Sequence, residues 1–168
     1  MLEIRDEQAG DIPFVRELNI LAFPTDPEAN LVDVLRETAW PMISLVAVEG
    51  NAVVGHIMFT PVELTGCSEL SIMGLAPMAV TPDQQRRGIG SQLVRAGLDR
   101  CRNTGAGAVI VLGHPSYYPR FGFLPATKKN ISCEYDVPDD VFMIIELTVD
   151  YLSAAEGTIR YHEAFREM

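Results

Sequence analysis

The stretch MAVTPDQQRRGIGSQLV, residues Met78 to Val94, joins a β-like run to a helix-like run through a turn with two arginines and two glycines. The first N–H groups of a helix lack acceptors within the helix, and together with the helix dipole they attract anions. Glycines at positions 88 and 90 leave room for a phosphate beside those amides, and Arg86 and Arg87 add positive charge. The turn therefore indicates a phosphate-binding site. The alternative is a helix start that happens to contain glycine.

Two other phosphate-binding patterns do not fit this turn. A P-loop requires G-x-x-x-x-G-K-[ST], and the turn has no lysine followed by serine or threonine. A dinucleotide fingerprint requires G-x-G-x-x-G after the first strand, whereas Gln92 and Leu93 follow the two glycines here. Both alternatives are excluded by spacing.

Length and composition are typical of one compact domain. The chain has 168 residues, of which 48% are hydrophobic and 21% charged. A chain of this length buries about two thirds of its unfolded surface on folding, so we expect a single domain over residues 1–168. The first residues are charged, unlike a signal peptide, and no apolar run approaches the ~18 residues that span a bilayer. We therefore predict a cytoplasmic protein without a membrane partner.

Charge and cysteine content narrow the classes of partner. The formal net charge of −10 argues against a nucleic-acid surface, which needs a basic footprint, and is compatible with a cationic substrate such as an amine. The three cysteines, Cys67, Cys101 and Cys133, are widely separated, with no C-x-x-C and no histidine at zinc-ligand spacing. We predict free thiols and no metal.

Apolar periodicity predicts a chain of strands and helices in mixed order. The second predicted helix, for example, has Leu31, Val34 and Leu35 on one face, and Gly74 and Pro77 predict a bulge or splay in a central strand. The predicted strands are 2–6, two strands around a Gly50-Asn51 turn, 70–80, 108–113, 121–126 and a last long strand at 141–149; the predicted helices are 11–23, 27–40 and 90–105. This order predicts a mixed α/β fold.

Two motifs carry a resemblance to a known family. The segment QRRGIG resembles the Q/R-x-x-G-x-G/A signature of the GNAT superfamily of N-acetyltransferases, and it stands between an apolar strand and a long helix, as in that family. The segment YYPRFGF, Tyr117 to Phe123, resembles the family's tyrosine, three intervening residues and Gly-Phe. The segments GHPSYYPRFGF and VVGHIMFTPV are most similar to the YhbS-like branch of this family. The resemblance covers residues 2–149.

The resemblance implies a fold, a co-substrate and a set of binding residues. The fold is a single acyl-CoA N-acyltransferase domain with a splayed central sheet flanked by helices, and the co-substrate is acetyl-CoA. The pantetheine arm would lie along Met78, Ala79 and Val80. The residues implied at the diphosphate are Gln85, Arg86, Arg87, Gly88, Ile89, Gly90 and Ser91.

The chemistry of acetyl transfer indicates an acid. A neutral amine attacks the thioester, and the departing CoA thiolate must be stabilised or protonated. A phenol suits this role because its ordinary pKa of about 10 keeps it protonated at neutral pH. Tyr118, four residues before Gly122, aligns with the family's acid, and Tyr117 is the alternative.

Three residues are candidates for handling the amine. His114 follows a buried strand and is a candidate general base, or it simply caps that strand. His56 lies within a strand and is either a base or a hydrogen-bonded core histidine. Glu28, at the start of the second helix, is a candidate for binding a cationic amine, although an acid there also stabilises its own helix.

We therefore predict an N-acetyltransferase that moves the acetyl group of acetyl-CoA to a primary amine by direct attack in a ternary complex. The alternative is a non-catalytic acyl-CoA-binding or sensing module, which would need no acid at Tyr118. The predicted acceptor is a small-molecule or peptide amine, with no nucleic acid and no membrane, and the predicted oligomeric state is monomer or homodimer.

Overall fold

The computed structural model of the protein describes residues 1–167. Short 3-10 turns connect several of its helices and strands. The α-helices are α1 (Ile12–Ala22), α2 (Pro27–Thr38) and α3 (Ile89–Asn103). The strands are β1 (Leu2–Asp6), β2 (Ile43–Glu49), β3 (Ala52–Leu64), β4 (Ile72–Val80), β5 (Ala108–Leu112), β6 (Leu124–Pro125), β7 (Ile131–Cys133), β8 (Phe142–Glu146) and β9 (Gly157–Arg160).

The contacts of the chain group into two compact units. The first unit contains residues 1–60, 76–97 and 163–167, and the second contains residues 61–75 and 98–162. Three elements, β3, β4 and α3, contribute residues to both units.

The first unit is built on an antiparallel meander. β1 pairs with β2, and β2 pairs with β3 across the predicted hairpin. Gly50 in the turn has a φ of 65°, a left-handed conformation that glycine adopts without steric penalty. The register shifts between Ala47 and Val48, as in a β-bulge.

Helices α1 and α2 pack on one face of this meander. Val15 of α1, Val32 and Leu35 of α2, and Met58 of β3 belong to one buried cluster. The predicted face of α2 was wrong at Val34, which is 43% exposed. Val34 lies two residues, or about 200°, around the helix from Val32, so both cannot face the sheet.

The first residues of α3 lie on the opposite side of β3. A Cβ built on Gly55 of β3 would lie 3.0 Å from Leu93 Cδ1, and one built on Gly97 of α3 would lie 2.2 Å from Cε1 of Phe59. Phe59 alternates with Met58 along the strand, so β3 is buried on both faces. This explains its nearly continuous apolar sequence.

The Gly97 contact gives a stability prediction. Gly97→Ala should lower the free energy of unfolding by about 1–3 kcal/mol, because the added methyl group overpacks the Phe59 ring. Urea denaturation would measure this change. Gly10→Ala is the control, since a Cβ at Gly10 meets no atom within 4 Å. Equal midpoints for Gly97→Ala and the unchanged protein would contradict the prediction.

The second unit contains parallel and antiparallel strand pairs. β4 is parallel to β5 over Ile72–Leu75, β5 is antiparallel to β8, and β8 is antiparallel to β6. β7 pairs with β9 in parallel, and β9 pairs with the last residues of β3. The predicted mixed α/β fold class is therefore confirmed. The strands β7 and β9 were not predicted, and β8 ends at Glu146, short of Val149.

The splay predicted at Gly74 and Pro77 is confirmed by the splayed sheet, whereas Gly74 itself forms no bulge against β5. It pairs with Ile110 in regular register, and a Cβ there would lie 2.9 Å from Val62 Cγ1. Its role is therefore close packing. The pairing of β4 with β5 ends at Leu75, two residues before Pro77, which cannot donate a ladder hydrogen bond.

Several observations bear on membranes, metals and thiols. Over residues 1–167, no helix has both the length and the apolar character needed to cross a bilayer. Within the same residues, no group of three or more histidine, cysteine, aspartate or glutamate side chains is placed to hold a metal ion. The three cysteines are free thiols, and burial raises the pKa of Cys101 to about 12.

Candidate active site

The turn before α3 is exposed to solvent, and two of its residues have a left-handed backbone conformation. Arg86 has a φ of 66° and Gly88 a φ of 83°. A Cβ built on Gly88 would meet no atom within 4 Å, so the turn is open on that side. Residues 85–88 are exposed, whereas Ile89 is buried at the start of α3. The buried side chain of Ile89 thus fixes the start of α3. The residues just before it are exposed and therefore accessible to a ligand.

Side-chain hydrogen bonds connect this turn to its neighbours. The Gln85 side-chain amide donates to the Val80 carbonyl at 3.0 Å, which ties the turn to the end of β4. Arg87 donates to the Gln84 side chain and lies 3.4 Å from a Glu49 carboxylate oxygen. Arg86 forms no ion pair with any residue between 1 and 167. The two arginines therefore differ, and only Arg86 has its charge uncommitted.

The amides at the start of α3 suit an anion. Gln92 N donates to Gly88 O at 3.1 Å, which is the first helical hydrogen bond after the turn. The amides of Ile89 and Gly90 precede it, at the positive end of the helix dipole. With the open side of Gly88, this geometry allows a phosphate oxygen to approach the backbone.

The last residues of β4 alternate in burial. Met78 and Val80 are half-buried, and Ala79 between them is buried. This alternation is typical of a strand with one face against the core. The strand end therefore presents one partly accessible face immediately before the turn that precedes α3.

In the second unit, the chain leaves β5 through a turn that positions Tyr118. The His114 carbonyl accepts hydrogen bonds from the Tyr117 and Tyr118 amides at 3.0 and 3.4 Å. A 3-10 helix, Tyr118–Phe121, then ends at Gly122 with a φ of 105°. The glycine of the second motif thus supplies the left-handed residue that stops this helix.

The Tyr118 ring is held by packing. Its side chain is 7% exposed, and its Cε2 would lie 2.2 Å from a Cβ built on Gly113. The ring meets the Phe123 ring edge-on, with centroids 5.6 Å apart. Burial, with a smaller contribution from Tyr117, raises the pKa of Tyr118 to about 12. Tyr118 is therefore a protonated phenol at neutral pH.

Tyr117 and His114 have different surroundings from Tyr118. Tyr117 is half-buried, and the Arg120 guanidinium lies 4.5 Å from its ring centroid. The imidazole of His114 is on an exposed residue, while its backbone carbonyl holds the turn. Of the two tyrosines, Tyr118 has the more fully buried ring.

His56 is a core histidine in the first unit. It is fully buried, and its Nε2 shares a 2.8 Å hydrogen bond with Ser44 Oγ. The same nitrogen lies 3.9 Å from Glu7 Oε2, whose carboxylate accepts a hydrogen bond of 2.8 Å from Arg36. Burial, and then the charge of Arg36, lower the pKa of His56 to about 3. A histidine with this pKa is a poor base at neutral pH.

The pKa of His56 predicts a pH dependence of stability. Between about pH 3 and the ordinary histidine pKa of about 6.5, the unfolded chain binds more protons than the folded one. The free energy of unfolding should therefore fall as pH is lowered through this window, by up to about 1.4 kcal/mol per pH unit. Above the window the group contributes no slope.

Denaturation of His56→Gln across the same pH range would measure this contribution. The variant keeps a polar group beside Ser44 but cannot be protonated, so its loss of stability on acidification should be smaller than that of the unchanged protein. Other carboxylates titrate in both proteins and cancel in the comparison. Parallel curves for the two proteins would contradict the assignment of the slope to His56.

Comparison with known proteins agrees with these features. Residues 3–126 match the family described as Acetyltransferase (GNAT) domain. The sequence is 36% identical over 163 residues to Uncharacterized N-acetyltransferase YhbS of Escherichia coli strain K12, covering 96% of this chain and 97% of that protein.

Solved structures show the same likeness. The crystal structure of the GNAT family N-acetyltransferase YhbS from Escherichia coli in complex with CoA has a TM-score of 0.93 at 35% identity, covering 98% of this chain and 92% of that chain. A GNAT family acetyltransferase from Brucella melitensis in complex with acetyl-CoA has a TM-score of 0.81 at 33% identity, covering 98% of each chain. The resemblance inferred from the two motifs is confirmed.

Proposed function

We propose that this chain, which belongs to the GNAT family of acetyltransferases, transfers the acetyl group of acetyl-CoA to a primary amine. The amine would attack the thioester directly in a ternary complex. The observation that carries the proposal is the turn before α3, where Gly88 has a left-handed conformation and a Cβ built on it would meet no atom within 4 Å. Two relatives whose structures are similar to this one were crystallised with CoA or acetyl-CoA.

The local geometry supports the proposed cofactor contacts. The diphosphate of acetyl-CoA would bind the backbone from Gln85 to Ser91, with Arg86 supplying the uncommitted charge. Arg87 would contribute less, because Glu49 already pairs with it. The pantetheine arm would lie along the half-exposed face of Met78 to Val80.

The proposed acid is Tyr118. When the amine forms its C–N bond and the C–S bond breaks, the CoA sulfur receives the electron pair and needs a proton. The Tyr118 phenol is protonated at neutral pH, and no described residue accepts a hydrogen bond from its hydroxyl. These two properties support Tyr118 over Tyr117, whose ring already contacts Arg120.

The proposed base is His114. An ammonium ion must lose a proton before its nitrogen can attack, and an imidazole nitrogen is a suitable acceptor for that proton. His114 is exposed to solvent and lies in the same turn as Tyr118. His56 is the weaker candidate because its pKa is about 3.

Residues 1–168 would act as one functional domain on a small-molecule or peptide amine. The alternative is a non-catalytic acyl-CoA-binding or sensing module. A buried phenol with no hydrogen-bond acceptor among residues 1–167 favours the enzyme, because a binding module does not need an acid there.

Calorimetric titration of the purified protein with acetyl-CoA, CoA, ATP and NAD tests the proposal. We expect binding of the two CoA species only, followed by release of free thiol when acetyl-CoA and a primary amine are both present. Binding without amine-dependent thiol release across an amine panel would favour the sensing module. Binding of ATP or NAD in place of CoA would contradict the proposed co-substrate.

A further inference from the structure

In the first unit, the β2–β3 hairpin lies beside the turn that precedes α3. Immediately after β4, the Thr81 amide donates to the Val54 carbonyl of β3 at 2.9 Å. At the other end of the turn, a Cβ built on Gly55 of β3 would lie 3.2 Å from Ile89 Cγ2 of α3. The chain is therefore held against the first residues of β3 both before and after the turn.

This arrangement places a carboxylate of the hairpin next to an arginine of the turn. Glu49 is the last residue of β2 and pairs with Ala52 across the hairpin. Its Oε2 lies 3.4 Å from Arg87 Nη1, and its Oε1 accepts a hydrogen bond of 3.4 Å from Arg87 Nη2. The Glu49 side chain is 34% exposed and the Arg87 side chain 51% exposed. The pair is thus open to solvent at the edge of the proposed diphosphate site.

The contacts between Glu49 and Arg87 are long for an ion pair. Charge-assisted N–H···O hydrogen bonds are typically about 2.7–2.9 Å. Three other ion pairs of the first unit have N–O distances of 2.6, 2.6 and 2.8 Å, and they are Arg5–Asp11, Arg16–Asp33 and Arg36–Glu7. Because the Glu49–Arg87 pair is both longer and exposed, it contributes little stability. A diphosphate, which carries more negative charge than one carboxylate, can therefore displace Glu49 from Arg87.

We infer that Glu49 is a positioning residue that competes with the diphosphate of CoA for Arg87 and so weakens cofactor binding. Without ligand, the Arg87 guanidinium lies on the Glu49 carboxylate. It must leave Glu49 before it can contact a diphosphate at the adjacent amides of α3. The Glu49 carboxylate also adds a like charge beside that diphosphate, which opposes binding. This role rests on the proposed function, since it concerns the same cofactor site.

Weaker cofactor binding has a consequence for turnover. Acetyl-CoA and the product CoA carry the same diphosphate, so Glu49 reduces the affinity of the protein for both. Product release limits the turnover of many enzymes, and a bound product that leaves easily frees the site for the next acetyl-CoA. Glu49 thus trades affinity for acetyl-CoA against release of CoA.

Calorimetric titration of CoA into the unchanged protein and into Glu49→Gln tests this role. The substitution keeps the length of the side chain and removes its charge. We expect the dissociation constant of CoA to fall about three- to fivefold, which is the effect of one exposed ion pair. A purely structural role for Glu49 predicts the opposite direction or no change, because loss of a stabilising contact does not tighten binding.

A double-mutant cycle with Arg87→Gln tests whether Glu49 acts through Arg87. In the Arg87→Gln background, Glu49→Gln should lower the dissociation constant by less than about twofold, because no arginine is released. Equal gains in the two backgrounds would overturn the competition for Arg87. Glu37→Gln is the control, since it removes one carboxylate from an exposed position of α2, on the other face of the meander. It should leave CoA binding unchanged.

Dephospho-CoA, which keeps the diphosphate and lacks the 3′-phosphate, identifies the group that competes with Glu49. We expect the same gain in affinity with this ligand, and a gain seen only with CoA would overturn the assignment to the diphosphate. If CoA binds but Glu49→Gln does not tighten its binding, the role of Glu49 is overturned and the proposed function stands. If CoA binds neither protein, the proposed function is contradicted and the role of Glu49 falls with it.

Discussion

Tyr118→Phe is expected to lower kcat by about 10²- to 10⁴-fold while leaving the affinity for acetyl-CoA unchanged, since this is the contribution of a positioned general acid. The substitution removes only the hydroxyl, so the ring contacts with Gly113 and Phe123 remain. Because the pKa of Tyr118 is about 12, loss of this acid should not lower the rate between pH 7 and 10. Steady-state thiol release with calorimetric affinities would measure both quantities.

Tyr117→Phe is the matched control for this prediction. It makes the same chemical change one residue earlier, on a half-buried ring beside Arg120. Its kcat should stay close to that of the unchanged protein. The reverse pattern, with Tyr117→Phe inactive and Tyr118→Phe active, would transfer the role of acid to Tyr117. Full activity in both variants would remove a tyrosine acid from the mechanism.

Gly88→Val should raise the dissociation constant of acetyl-CoA by about 30-fold or more, the equivalent of losing one or two hydrogen bonds to a charged group. A Cβ at Gly88 would project into open space beside the helical amides, and a branched side chain would occupy the position proposed for the diphosphate. The φ of 83° also disfavours valine, so the turn itself would rearrange.

Gly50→Val controls for backbone strain. Gly50 has a φ of 65° in the β2–β3 hairpin, and a Cβ there also meets no atom within 4 Å. This variant should lose stability without losing affinity for acetyl-CoA in calorimetric titration. If Gly88→Val binds acetyl-CoA as tightly as Gly50→Val does, the phosphate is bound elsewhere.

The parts of the fold that were predicted correctly are those with local signals. Gly50-Asn51 marks the hairpin, and the apolar run from Ala108 marks β5. The turn before α3 was found because its glycines and arginines are adjacent in sequence. These signals act over a few residues, and tertiary contacts did not override them.

The parts that were missed depend on distant partners. The strands β7 and β9 have three and four residues, and each is stabilised mainly by its partner strand, so periodicity could not identify them. The Glu7–Arg36 pair beside His56 joins residues 29 positions apart, with no pattern that links them. Asn19 and Thr60 are single polar residues in apolar surroundings, and only the fold shows that both are buried without a partner for an oxygen.

The close contact between Gly97 and the Phe59 ring fixes the position of α3 along its own axis. The Phe59 ring fits against α3 only where the helix has no side chain. A slide of one turn, about 5.4 Å, would bring the larger Leu93 to that ring. Gly97 is eight residues from Ile89, and a continuous helix transmits its position along that length. The contact of Gly97 with the Phe59 ring thus fixes the position of the first amides of α3, which lie two helical turns away.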